Sequence, residues 1–374
     1  MVGLRGILIF VGLLTTFTVP AFAQDEGLEV FLQPKKFYKK FFPNLRIKKP
    51  AFDSTYIKTY PNYLTTGAHL ILPTINLDIQ SQSSVEDASK ATSNFRTNIG
   101  SILAFNVGYR FIGAGFAMVL SSSGSGKEDY ASTSFRTATI KYNGAAYYLQ
   151  FKYMRTIGFT DVNSFNSSDP GVPYTKRDDL RSKEFQFEGM YNFAWKKYSY
   201  YASIDYTQRQ LKSSFGPLLK AGAYYNELSA NANLLTPKQR QYFEEFEDIK
   251  MIRSTSFKLA PGIGANLVLL RKLYLSAAAF MPYNIYIYNY FNEAGDRVEK
   301  GASIALVIDG NVSLGYQSER IYAGVRYQAD SKQLKMNTII MNTKFSYFGF
   351  DIGYRFKAPK IVKKIYKDTM PPGM

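Results

Sequence analysis

A two-residue alternation of apolar and polar side chains recurs along this chain and limits what it can fold into. In the clearest copy, five large apolar residues share one face of an extended segment and small or charged residues share the other: Phe348, Phe350, Ile352, Tyr354 and Phe356 against Gly349, Asp351, Gly353 and Arg355. Strand side chains alternate between faces, so one face can meet lipid while the other meets a wet lumen. The pattern predicts a strand of a transmembrane β-barrel.

The N-terminus predicts export. Arg5 precedes an apolar run over residues 6–14, and Pro20–Ala23 supplies a small-residue cleavage site before Gln24. We therefore assign residues 1–23 to a signal peptide cleaved near Ala23. No later stretch approaches the roughly 20 apolar residues of a transmembrane helix. Membrane insertion must then use a closed barrel, which predicts the outer membrane of a Gram-negative bacterium.

Composition agrees with a barrel. The chain has no cysteine, which excludes disulfides, thiolate metal sites and lipid attachment at an N-terminal cysteine. Aromatic residues make up 16% of the chain, and barrels concentrate such residues at both membrane interfaces. A soluble secreted β-sandwich is the alternative.

The spacing of turns predicts twelve antiparallel strands. Five tight turns, near Arg110, Asn143–Gly144, 195–197, Arg271–Lys272 and Glu319–Arg320, alternate with six longer connections. Short turns face the periplasm in bacterial barrels, so both chain ends are expected there. The expected strands are 65–78, 98–109, 111–120, 134–142, 146–159, 182–193, 198–208, 255–270, 273–290, 301–317, 321–334 and 343–356. Residues 24–64 form a periplasmic segment, 65–356 the barrel and 357–374 a basic periplasmic tail.

The long connection over residues 209–254 is expected to fold. Its segment 213–225 is apolar and rich in small residues, and Thr236–Pro237 predicts the start of a helix running to about Lys250. Residues 211–252 would then lie over the mouth or inside the lumen as a plug. The alternative is a further hairpin, which would raise the count to fourteen strands.

Ten charged residues are expected to face the lumen: Lys141, Lys152, Glu184, Glu188, Asp205, Lys258, Asp309, Arg326, Asp351 and Arg355. One interpretation is a polar channel whose mixed charges tune the passage of small solutes. The other is a salt-bridged interior that closes a structural barrel. A twelve-stranded barrel is wider than those that side chains fill and narrower than open porins, so its width leaves both interpretations open.

Enzyme chemistry has little support. His69 is the single histidine, so an envelope hydrolase with a histidine base would have to use it, yet the predicted topology puts it near the periplasmic end. Asp169 and Asp178–Asp179 could hold calcium, although such acids in outer loops usually serve solubility. We expect a non-enzymatic protein without cofactor or metal.

Two basic clusters flank the barrel. Residues 34–49 carry seven lysines and arginines and no acid, and residues 357–367 carry five lysines, within a net charge of +17. In an exported chain, anionic lipid headgroups or cell-wall carboxylates are more plausible neighbours than nucleic acid. Solvated tails are the alternative. The strand ending at Tyr354 and Phe356 also looks like an insertion signal for the barrel-assembly machinery.

Short motifs along the mature chain resemble an uncharacterised family of Gram-negative outer-membrane proteins, domain of unknown function 4421. The resemblance lies in 53–57 with Tyr60–Pro61, Asn143–Gly144 with Gly158–Phe159, 212–216, 261–264, Arg271–Lys272 and 353–356. It implies an outer-membrane barrel and supplies no catalytic or ligand residues.

Overall fold

A computed structural model describes residues 52–82, 92–123, 130–162, 175–240, 242–243, 246, 248–337 and 339–369. The signal peptide, residues 24–51 and Asp169 lie outside these ranges. The strands are β1 Ile57–Thr59, β2 Tyr63–Ser81, β3 Thr92–Arg96, β4 Ser101–Tyr109, β5 Ile112–Ser121, β6 Ser134–Asn143, β7 Tyr147–Asp161, β8 Thr175–Asn192, β9 Gln208–Gln210, β10 Ser214–Ser229, β11 Ile249–Leu269, β12 Leu273–Phe280, β13 Tyr283–Asn292, β14 Arg297–Leu306, β15 Asp309–Gln317, β16 Ile321–Lys335 and β17 Ile339–Lys357. The helices are α1 Pro237–Arg240 and α2 Lys360–Thr369, with a 3₁₀ turn at Tyr200–Ala202.

The strands close into a ring of twelve antiparallel wall strands, which confirms the predicted fold and count. Each wall strand pairs with its neighbours in the chain, and β17 pairs with β2 from Lys357↔Tyr63 to Ile339↔Ser81, joining the last strand to the first. Three wall strands are interrupted: β3 with β4, β12 with β13, and β14 with β15. Pairing of the last strand with the first closes the ring, as membrane insertion requires.

The outer surface of the ring is apolar. Large side chains that alternate outward remain exposed in the isolated barrel, among them Phe105, Phe116, Ile140, Phe151, Phe185, Leu259, Ile263, Ile304, Val312, Leu314, Phe348, Phe350, Ile352 and Phe356. Their sequence neighbours Asp309, Asp351 and Arg355 are buried on the inner face. This outward belt is the lipid-facing surface of a transmembrane barrel.

Prolines mark one interruption of the wall. Pro261 lies where β11 exchanges one partner for another, since Leu259 pairs with Tyr283 of β13 while Gly262 pairs with Phe280 of β12. Pro282 separates β12 from β13. A proline lacks the N–H donor that a ladder needs, which suits it to a position where the pairing is interrupted. Pro73 marks a second such position, since Ile71 of β2 pairs with β4 while Asn76 of β2 pairs with β3.

The seventh wall strand was wrongly predicted. Residues 198–208 do not form a wall strand; the wall continues through β10, Ser214–Ser229, which pairs with β8 and β11. The expected tight turn at 195–197 is instead part of a long connection, residues 193–213, at the end of the ring where β2 begins. We call this connection the inner plug. The helix expected to reach Lys250 ends at Arg240, and β11 begins at Ile249.

Helix α2 follows the barrel and lies outside the compact unit formed by residues 52–357. It is rich in lysine, with Lys360, Lys363 and Lys364 exposed. Within the described residues, no helix has the length and apolarity needed to span a bilayer.

Candidate functional site

The inner faces of the strands carry a layer of paired charges. Lys141 Nζ lies 2.6 Å from Asp205 Oδ1, and Lys258 Nζ lies 3.2 Å from Asp309 Oδ2. Lys332 pairs with Glu184. Because opposite charges face each other, removing any one of them would leave its partner uncompensated in a poorly solvated interior.

Asp351 is the most heavily bonded carboxylate of this layer. Its Oδ1 lies 2.7 Å from His69 Nδ1, while its Oδ2 accepts hydrogen bonds from Arg326 Nη2 at 2.7 Å and Tyr206 Oη at 2.8 Å. His69 stands directly opposite Asp351 in the β2–β17 register, which brings the two side chains together. Tyr206 comes from the inner plug, so this node joins the wall to the plug.

The inner plug crosses the lumen and contacts wall strands on opposite sides. Asn192 of β8 donates to Tyr198 O at 2.8 Å, Asn266 of β11 donates to Ser199 O at 2.7 Å, and Gln317 of β15 donates to Ala202 O at 2.7 Å. Tyr201 packs against Tyr148 of β7, and Tyr206 stacks on Tyr322 of β16 with ring centroids 4.0 Å apart. A segment held from these directions fills the half of the lumen nearest the start of β2.

Local sequence explains how the plug turns inside the barrel. Ser199 caps the 3₁₀ turn by accepting from Ala202 N at 3.2 Å. Tyr206 adopts a left-handed backbone conformation, with φ of 55°. The conformation is held because Arg355, which is fully buried, donates to Tyr206 O through Nε at 3.1 Å and Nη2 at 2.6 Å. An arginine fork suits this double contact in a way that lysine cannot.

Residues 52–62 cover the plug at the end of the barrel where β2 begins. Strand β1 pairs with β9 at the end of the plug, in the register Ile57↔Gln210. Asp53 N donates to Lys196 O at 3.0 Å, and the ring of Phe52 lies 6.4 Å from that of Trp195. We call residues 52–62 the latch, because they tie the plug to the chain that enters the barrel.

The described residues within 230–248 fill the opposite mouth of the barrel, and we call them the outer cork. Leu234, Leu235, Phe243 and Phe246 are buried in an apolar cluster with inward side chains of the strands. Arg177 of β8 donates to Leu234 O and to Asn233 O, each at 2.6 Å. The lumen is therefore occupied from both ends, with the charged layer between. A folded central loop was predicted, but the cork is shorter than the expected plug 211–252, which includes β10.

Nine of the ten charged residues predicted to face the lumen lie on inward faces of wall strands. Asp205 also lies inside the barrel, but on the plug, because residues 198–208 are not a strand. Prediction missed Lys220, Asp330 and Lys332. Extending the alternation of Tyr322, Gly324 and Arg326 along β16 would have placed Asp330 and Lys332 inward, whereas Lys220 was hidden by the assignment of β10 to a loop.

The described residues contain no cluster of histidine and carboxylate side chains suited to a metal ion. Asp179, considered for calcium, bonds Arg177 Nε at 2.9 Å and Nη2 at 3.1 Å. It thus helps to hold the arginine that binds the outer cork.

The family model for the domain of unknown function DUF4421 matches residues 51–356, which span the latch and the whole barrel. The chain belongs to the DUF4421 family. This confirms the resemblance found in the sequence motifs. None of the curated proteins matches this DUF4421 chain.

Several solved outer-membrane barrels resemble the DUF4421 chain at low identity. The outer membrane protease OmpT from Escherichia coli is 12% identical, with 80% of this chain and 98% of that chain covered and a TM-score of 0.35. The translocator domain of autotransporter NalP from Neisseria meningitidis is 12% identical, with 78% and 88% covered and a TM-score of 0.38. The COG4313 outer membrane channel from Pseudomonas putida F1 is 10% identical, with 80% and 97% covered and a TM-score of 0.33.

Proposed function

We propose that this DUF4421 protein is a non-enzymatic structural barrel of the outer membrane, closed to solutes at rest. The observation that carries the proposal is the occupation of the lumen by the inner plug and the outer cork. A standing pore needs a continuous water path, and both segments lie across it.

The bonds that hold the inner plug support a closed resting state. Arg326 Nη2 donates to Ser203 O at 3.1 Å and Ile204 O at 3.0 Å, in addition to the contacts of Arg355, Asn266 and Gln317. Each buried hydrogen bond contributes about 1 kcal/mol net. Releasing the plug would break several at once, and every 1.4 kcal/mol of that cost lowers the open fraction about tenfold.

A gated small-solute channel is the second candidate, and the charged layer favours it. Buried ion pairs stabilise a barrel little more than well-packed apolar residues would, so a purely structural interior has no need of them. If the plug moved aside, residues such as Asp309 and Arg326 would line the path and select solutes by charge.

Solute flux into proteoliposomes distinguishes the two candidates. The structural barrel predicts no swelling of vesicles that contain the intact protein in solutions of small sugars or amino acids. Reproducible swelling that changes with charge in Asp309→Ala would favour the channel and contradict the structural role.

The environment of His69 supports the non-enzymatic part of the proposal. Its partner Asp351 is shared with Arg326 and Tyr206, and the plug covers the pair from the periplasmic side. A hydrolase would need substrate access to this histidine. Hydrolysis of ester or peptide probes by the purified protein that disappears in His69→Ala would contradict the proposal.

A further inference from the structure

A basic cleft opens at the periplasmic end, between the inner plug and the β11–β12 turn. Its cations are Arg209 from the plug and Arg271 and Lys272 from the turn, and its other lining residues include Gln317 and Leu273. The enclosed part of the cleft has a volume of about 10 Å³, room for about one water molecule, and the rest is open to solvent. No acidic residue lines it.

Two of these cations are held in place by the fold. Arg209 lies on β9. The next residue of this strand, Gln210, donates to Lys197 O at 2.6 Å and Lys212 O at 2.9 Å. Arg209 Nη2 donates to Arg271 O at 2.7 Å, which joins the plug to the turn. Leu270 and Arg271 have φ of 46° and 63°, so the turn is tight and its position well defined.

Within the described residues, no carboxylate forms an ion pair with a cation of the cleft. Glu319, whose charge acts on Arg209, bonds Lys58. Lys272 Nζ lies 6.0 Å from the centre of the Tyr316 ring. Three positive charges therefore share one cleft, and Arg271 and Lys272 are exposed at its open side.

We propose that a phosphate group binds at the open side of this cleft. A carboxylate offers two oxygens and one charge, whereas phosphate offers more oxygens in a tetrahedral arrangement that several cations can bind together. Guanidinium groups match phosphate oxygens through paired N–H donors, and lysine adds a point charge.

The position of the cleft allows two sources of phosphate. Leu273, which is 37% exposed, lies both in the cleft and on the outward face of β12 next to the lipid-facing belt. A phospholipid in the inner leaflet could thus place its headgroup on the cations while its acyl chains cover the belt. Free phosphate in the periplasm could reach the same cations through the open side of the cleft.

Isothermal titration calorimetry of the full mature protein in dodecyl maltoside micelles tests the proposal, since this detergent carries no phosphate. Inorganic phosphate and micellar phosphatidylglycerol are titrated separately, with phosphatidylcholine as the zwitterionic comparison. Binding of phosphatidylglycerol alone identifies a lipid site, and binding of inorganic phosphate identifies a site for the free ion. Absence of binding by both overturns the proposal.

Matched variants separate the cleft from general basic charge. We expect Arg271→Gln with Lys272→Gln to weaken binding at least tenfold, and Lys196→Gln with Lys197→Gln, which removes the same charge from the same end outside the cleft, to weaken it less than twofold. Equal weakening by both pairs, or no weakening by the first, overturns the assignment. Arg209→Gln provides a second cleft variant, and heat-modifiable gel mobility checks that each protein is folded.

Discussion

Asp351 explains how charged side chains are kept inside this barrel. The carboxylate has three partners, His69, Arg326 and Tyr206, so that its charge is balanced and both oxygens are bonded. Sequence alternation predicted that Asp351 and Arg326 face inward. It could not predict the hydrogen bond from Tyr206 to Asp351, because Tyr206 comes from the plug.

Asp351→Asn should destabilise the barrel because Arg326 would lose its counter-charge in the interior. Breaking one side of a buried pair costs about 3 kcal/mol or more. The free energy of unfolding is measured by urea titration of the refolded protein, followed by far-ultraviolet circular dichroism. Asp296→Asn, the same change at an exposed turn, is the control and should leave the transition in place. Equal stability of Asp351→Asn and the wild type would contradict this role.

Asp53 gives the latch a dependence on acid pH. Hydrogen bonds from the Thr55 hydroxyl, at 2.7 Å, and backbone N–H, at 3.0 Å, lower the pKa of the Asp53 carboxyl below its usual 3.8. A lowered folded pKa means that the contribution of the ionised group is fully present above 3.8 and is lost as the pH falls through the lower value.

Losing the ionised Asp53 should loosen the latch. Acrylamide quenching of Trp195, the single tryptophan, can follow that change because Phe52 of the latch and Trp195 are in contact. We expect quenching to rise below pH 3.8 and Thr55→Ala to move that rise to higher pH, since the carboxyl loses its main donor. Ser54→Ala should leave the profile unchanged. An identical profile for Thr55→Ala and wild type would rule out this account of the latch.

At the scale of elements, the latch strand β1 should control access to the plug. Ile57 is buried where β1 pairs with β9, whereas Thr59 in the same strand is exposed. Ile57→Asp places a charge in that contact, so amide hydrogens over residues 206–211 should exchange at least tenfold faster by mass spectrometry. Thr59→Asp is the control with the same new side chain. Unchanged exchange in Ile57→Asp would mean that the plug is held without β1.

The seventh wall strand shows why the sequence located eleven wall strands but misplaced one. Along β10, the inward face includes Gly216 and Leu218, and Gly216 lies against Ala194 of the plug so closely that an added Cβ would be 2.3 Å from its side chain. At these two positions the wall packs on the plug through a small and an apolar residue rather than through polar ones. The alternation therefore disappears where the plug is present. Residues 198–208, which belong to the plug, alternate enough between apolar and polar side chains to resemble a strand.

The last strand should carry the signal for insertion. Phe356 is 48% exposed on the outward face, and its ring lies 4.7 Å from that of Tyr354. We expect Phe356→Ala to reduce insertion by the barrel-assembly machinery severalfold in a membrane-fractionation assay, while removal of residues 358–374 is tolerated. Normal insertion of Phe356→Ala would contradict the assignment.

At the scale of the whole molecule, sequence could predict the ring because every wall strand must satisfy the same lipid-facing rule. The contents of the lumen obey no such periodic rule. The inner plug is built from singular contacts, such as Arg355 with Tyr206 O and Ser203 Oγ with Ser276 Oγ at 2.9 Å. Such contacts become apparent only once the chain is folded.

Single-channel conductance in planar bilayers tests the closed barrel most directly. The refolded mature chain is compared with a variant in which residues 194–211 are replaced by a short glycine-containing turn and residues 231–247 by a short polar loop, so that β10 is kept. We predict no conductance from the intact protein and discrete conductance from the variant. Steady conductance from the intact protein would contradict the account, because the plug and cork would then not close the lumen.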